Sequence, residues 1–167
     1  MKCLIKLRKD YKIIKETKLL HQKRKNLSKV QIIEFSILFI ILNYFEISLK
    51  KLEDLSKLEF ISEKNESLKN IFLSSLAEGN DKDYINSKIE AKYEKIIEEI
   101  NENSNIQIIV KNKSDQDIVD LLDELIQDHK DQSNLKKIES LEKKLINNLD
   151  ENSFSELIKL KSQLNRE

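Results

Sequence analysis

Apolar residues recur at three- and four-residue intervals along most of this chain, and the intervals divide it into helices. The longest run takes in Ile118, Leu121, Leu122, Leu125 and Ile126, then Leu135, Ile138, Leu141 and Leu145. It predicts one long helix, opened by the cap pair Ser114 and Asp117. Its polar middle, Asp128 to Asn134, has the composition to permit a kink or break. After Asp150 the pattern resumes through Phe154, Leu157, Ile158, Leu160 and Leu164, which predicts a second helix folding back, with Ser153 and Glu156 as its cap. Upstream, Ser28 and Gln31 form a capping-box signature before a helix reaching about Phe45. That helix is apolar on nearly every face, so its place is the centre of a bundle. A short helix is expected from Ser48 to about Leu58. Ser62 caps the next, whose stripe is Leu68, Ile71, Phe72, Ser75 and Leu76. Gly79 stands where a left-handed C-terminal cap belongs. Tyr84 to about Asn101 is a further helix, and Ile106 to Val110 is expected to be a link.

Composition strengthens the helical reading. The chain of 167 residues has one glycine and no proline. Hairpins need such residues at their turns, so helices joined by short polar links follow, despite the abundance of Ile. The expected fold class is all-α: a helical bundle followed by a long helix and a C-terminal antiparallel helical hairpin. The expected division is 1–27 as a basic N-terminal arm or linker remnant, 28–110 as the bundle, and 114–167 as the long helix with the hairpin.

Charge is neutral overall but unevenly placed. Residues 1–29 hold eleven Lys and Arg against Asp10 and Glu16, a balance of +9, so the rest carries −9. A solvated arm is the simplest consequence. A weak nucleic-acid contact through residues 2–29 is the sharper one, although Tyr11 is the arm's only aromatic residue. Cys3 is the single cysteine, which excludes an intrachain disulfide and fits a reducing, cytoplasmic setting. The uninterrupted apolar run Ile37 to Leu42 is far below the roughly 20 residues that span a bilayer, so no membrane partner is expected.

The residues of catalysis are scarce. His21, His129 and Cys3 lie far apart, without the paired spacing of a zinc site, and a lone Gly79 cannot build a phosphate loop. No catalytic residue, metal or cofactor is therefore expected. Asp81 with Asp83 and Asp115 with Asp117 sit at helix starts, where carboxylates cap amides and complement the dipole. His129, between Asp128 and Lys130, is expected at the surface or its boundary. What remains is amphipathic surface: a two-helix hairpin cannot cover all of its own apolar area, so part of it docks on a partner or on the bundle.

Several stretches resemble a known family. Glu34-Phe-Ser-Ile-Leu-Phe-Ile-Ile-Leu-Asn43, Leu58-Glu-Phe60 and Ser67-Leu-Lys-Asn-Ile-Phe-Leu-Ser-Ser-Leu-Ala-Glu-Gly79 are similar to the C-terminal domain of bacterial DNA primases of the DnaG type. Leu121-Leu-Asp-Glu-Leu-Ile-Gln-Asp-His129 and Asp150-Glu-Asn-Ser-Phe-Ser-Glu-Leu-Ile-Lys-Leu-Lys161 look like that family's long and terminal helices. The likeness covers about residues 30–166 and rests on hydrophobic pattern with a few marked positions. It implies a bundle followed by a hairpin, and a non-catalytic role: binding the N-terminal domain of the replicative DNA helicase, so coupling primer synthesis to unwinding. The zinc-binding and polymerase parts of a primase are not in this sequence, so the chain alone is not expected to be an enzyme and reads as a truncated or separated C-terminal part. The residues expected to meet the helicase are Leu149, Phe154, Leu157, Ile158, Leu160 and Lys161. The alternative is a small helical structural protein that self-associates or attaches peripherally to membrane.

Overall fold

The structure, a computed structural model, describes residues 27–103, 106–147 and 150–164, and among these every regular element is a helix. In chain order they are α1 (Lys29–Asn43), α2 (Phe45–Lys50), α3 (Leu52–Ser56), α4 (Glu63–Ala77), α5 (Lys82–Asn103), α6 (Ile106–Val110), α7 (Asp115–Asn147) and α8 (Glu151–Leu164). The all-α class and the order of bundle, long helix and hairpin are as expected. Most of the basic arm, residues 1–26, lies outside the described residues.

Local sequence accounts for the helix ends. Gln31 donates its amide to Ser28 Oγ at 3.3 Å while its side chain accepts from the Ser28 amide at 2.9 Å, the reciprocal box that opens α1. At the end of α4, Gly79 has φ 77°, its amide donates to Leu76, and the Asn80 amide donates to Ser75. This pair of bonds is a Schellman closure, and only glycine takes that backbone conformation without strain. Asp81 accepts from the Tyr84 amide at 2.8 Å to open α5. Ser114 and Asp117 reciprocate across the first turn of α7, where the Ser114 hydroxyl and amide hold the Asp117 carboxyl below its usual range.

Four boundaries differ from the sequence reading. The short helix after α1 is two helices, α2 and α3, separated at Lys51. Residues 106–110 close a helical turn, α6, and bury Ile106 and Val110. Asp128 to Asn134 neither kinks nor breaks α7, which runs unbroken for 33 residues, about 50 Å at 1.5 Å per residue. The cap of α8 is Asp150, whose carboxylate accepts from the amide and hydroxyl of Ser153 at 3.0 and 2.7 Å. A helix from Ser153 would have left those donors without partners.

The core is built around α1. Ile33, Phe35 and the run from Ile37 to Ile41 are buried on all sides, with α4, α5, α6 and the first half of α7 packed around them. Ile118, Leu122 and Ile126 of α7 join this cluster. A second, smaller cluster lies apart from it: Ile138 and Leu141 of α7 against Leu157 of α8, with Leu145, Leu160 and Leu164 at its edge. Taking 100° per residue, Ile118, Leu122 and Ile126 face one side of α7, and Ile138, Leu141 and Leu145 face a side about 130° around the helix. The apolar stripe changes sides between Ile126 and Ile138. The hairpin thus extends from the bundle on a different face of the same rigid rod.

Candidate interface and the polar knot behind it

The candidate site is the hairpin of α7 and α8. Its position depends on how firmly α7 is fixed to the bundle. That fixing is polar as well as apolar. Glu34, on the central helix, has no exposed surface, and its carboxylate gathers donors from three directions. Oε1 accepts from the amides of Ile61 at 2.6 Å and Ser62 at 3.4 Å, and lies 3.4 Å from His129 Nε2. Oε2 accepts from Asn65 Nδ2 at 2.8 Å. Burial pushes this carboxyl up, but the bonds from His129, Asn65, Ile61 and Ser62 outweigh it and hold the group below its ordinary value. Glu34 therefore supplies the acceptor for the amides that open α4, where Ser62 makes no side-chain cap of its own.

A second pair extends the knot. Lys69 is 1% exposed; its ammonium donates to the Leu58 carbonyl, lies 2.9 Å from Glu66 Oε2 and sits 5.0 Å from the Phe60 ring centre. Glu66 in turn accepts from the Phe60 amide at 2.8 Å. Burial raises the Glu66 carboxyl, and Phe60, Lys69 and Asn70 lower it by more. The Phe60 ring completes the arrangement 5.4 Å from the His129 ring. Buried charges persist when hydrogen-bonded, and here Glu34 accepts from Ile61, Ser62 and Asn65 while Lys69 donates to Leu58 and meets Glu66.

His129 is thus not at the surface or its boundary, as its charged neighbours suggested, but 1% exposed against Glu34. It follows Ile118, Leu122 and Ile126 at intervals of four, four and three, so it occupies the inward stripe while Asp128 and Lys130 project elsewhere. That periodicity was the available signal. Lys51 adds an outer tie, its ammonium 2.7 Å from Asp123 on α7.

With α7 held in this way, the hairpin sorts the six nominated residues. Leu157 and Leu160 face α7 and form the hairpin's own core. Lys161 pairs with Glu142 at 2.7 Å across the two helices. Phe154 and Ile158, four residues apart on one face of α8, remain 52% and 54% exposed. Leu149 lies outside the described residues. Ile146, near the end of α7, was not nominated and is the most exposed apolar residue among the described residues of the hairpin, at 83%. Its place outside the a/d-like stripe of α7 was the only hint.

Among the described residues no three His, Cys, Asp or Glu side chains group as metal ligands, and no helix is long and apolar enough to cross a membrane. No protein-family model, curated protein or solved structure matches this chain.

Proposed function

We propose that this chain is a non-catalytic docking module of the kind found at the C-terminus of DnaG-type bacterial primases, and that its hairpin binds the N-terminal domain of the replicative DNA helicase. The observation that carries the proposal is the pair Phe154 and Ile158. A large aromatic and a β-branched side chain at i and i+4 leave an apolar patch on α8 while the hairpin's core is filled without them. Such a pair is the form of anchor that a helical partner takes into a groove. The likeness of residues 30–166 to the primase domain supplies the identity of the partner, and the order of bundle, long helix and hairpin agrees with it.

In this role the bundle is the foundation and the hairpin the lever. Apolar anchors contribute affinity, and the flanking charges of α8, Glu151, Glu156, Lys159 and Lys161, set register and encounter rate. Isothermal titration of the chain with the N-terminal domain of its organism's replicative helicase tests the proposal. Binding in the micromolar range or tighter is expected, and replacing Phe154 and Ile158 together by Ala is expected to weaken it at least tenfold, about 1.4 kcal/mol. Absence of any heat of binding from the folded wild-type chain would refute it.

A further inference from the structure

Where the stripe of α7 changes sides, the helix presents a different set of residues. Lys130, Ser133, Asn134 and Lys137 stand at i, i+3, i+4 and i+7, a single helical face of two ammonium groups, a hydroxyl and an amide. This face lies between the side that meets the bundle and the side that meets α8. It borders an open cleft of about 270 Å³ that is closed by Lys57, Leu58 and Glu59 from the segment joining α3 to α4, with His129 also in its wall.

Three features of the cleft point the same way. First, its side-chain donors are open: among the described residues no hydrogen bond or ion pair engages the side chains of Lys130, Ser133, Asn134 and Lys137, although Ser133 and Asn134 are half-buried. Half-buried polar groups ordinarily find partners, in protein or outside it. Second, its charge runs against the body of the protein. Lys57, Lys130 and Lys137 stand against Glu59 in the wall and Glu53 beside Lys57, a local balance of +1 within residues that together carry −9. Lys57 is engaged with Glu53 at 2.6 Å, but both side chains are largely exposed, and such pairs hold weakly enough for Lys57 to turn inward. Third, its size is just under the roughly 300–1,000 Å³ of pockets that enclose whole small molecules. It suits one compact, highly charged group.

We infer that this cleft binds a phosphate monoester or inorganic phosphate dianion, held by Lys130 and Lys137 with Ser133 and Asn134 donating between them. A carboxylate offers two oxygens to this set of donors. A phosphate offers three or four, tetrahedrally disposed, with twice the charge, and lysine ammonium groups bind it as point charges without requiring a planar fork. The site lies at the root of the hairpin and is separate from the Phe154 and Ile158 patch, so it stands whether or not the docking proposal does.

The test is a titration of the whole chain with inorganic phosphate at low ionic strength, followed by backbone amide chemical shifts. Saturable shifts centred on residues 57–59 and 130–137 are expected. They should weaken at least tenfold in a Lys130→Gln, Lys137→Gln variant, whose melting temperature should match the parent because both side chains are exposed. A Lys95→Gln, Lys111→Gln variant removes the same charge elsewhere and should bind phosphate as the parent does. Shifts scattered over all surface lysines, or equal weakening in both variants, would overturn the site as non-specific charge attraction. A parallel arm with a short single-stranded oligonucleotide separates the sources of phosphate. Stronger effects from the free dianion support the inference, and a cleft that responds to the phosphodiester while ignoring inorganic phosphate would overturn it.

Discussion

The bundle and the hairpin use the same helix, α7, in opposite ways. In the bundle, α7 gives Ile118, Leu122, Ile126 and His129 to a core in which α1 is covered from every side, and the buried Glu34 and Lys69 in that core are each hydrogen-bonded. In the hairpin, α7 meets a single partner, α8, and the shared core is three buried residues with three at its edge. A bundle residue is therefore supported by several elements, whereas a hairpin residue is supported by one. The difference separates what the fold requires from what it leaves free: the bundle can lose little without unfolding, and the hairpin can lose Phe154 or Ile158 without structural consequence.

The largest break in this contrast should come from Glu34→Ala. It strips the Ile61 and Ser62 amides, Asn65 and His129 of their common acceptor, and removal of one partner from a buried charged network costs about 3–5 kcal/mol. Chemical denaturation monitored by circular dichroism would measure it; a loss below about 1 kcal/mol would mean that water or rearrangement replaces the carboxylate. Next, Ile37→Ala in the bundle should cost about 2–5 kcal/mol of global stability, because a fully buried site surrounded by several helices cannot collapse to fill the cavity. Leu157→Ala should instead speed amide exchange in α8 and the end of α7 while leaving the slowest bundle amides unchanged, since the hairpin can open by itself. Equal acceleration in both regions would contradict the division.

Acid sharpens the same comparison. The carboxyls of Glu34 and Glu66 are held below their ordinary value in the folded state, so the unfolded chain binds protons more readily as pH falls. Their contribution is complete above the unfolded value, near pH 4.5, and is lost as pH drops through the lower folded value. The stability of the bundle should decline below about pH 4.5, and Glu34→Gln should flatten that decline, as denaturation series at several pH values would show. The smallest effect belongs to the surface. Neutralising the Glu142 and Lys161 pair should change stability by no more than about 0.5 kcal/mol, and Phe154→Ala with Ile158→Ala by a similar amount per residue.

Much of this division was legible in the sequence. The absence of proline, a single glycine and the three- and four-residue intervals led directly to helices, and the cap pairs Ser28 with Gln31 and Ser114 with Asp117 fixed two of their starts. The side switch of α7 was harder. An apolar stripe that moves around a helix leaves a polar interval on any single projection, and Asp128 to Asn134 resembled a break for that reason. The knot of Glu34 and His129 joins residues 95 positions apart, so no local pattern announces it; the spacing from Ile126 to His129 was the one sign of an inward imidazole, and the charged neighbours Asp128 and Lys130 pointed the reading to the surface instead. For the hairpin, the stripe identified the apolar residues of α8 but could not separate those that meet α7, Leu157 and Leu160, from those left outward, Phe154 and Ile158. That choice is made by the rotation of α8 about its own axis, which depends on packing against the partner helix.

The central claim, that recognition resides in the outward face of the hairpin, is tested most directly by mapping backbone amide resonances of this chain during titration with the helicase N-terminal domain. The account predicts that shifts and broadening concentrate in α8 and the last turns of α7, around Phe154, Ile158 and Ile146, while amides of α1 and α4 hold their positions. Perturbation centred on the bundle, with α8 unmoved, would contradict it.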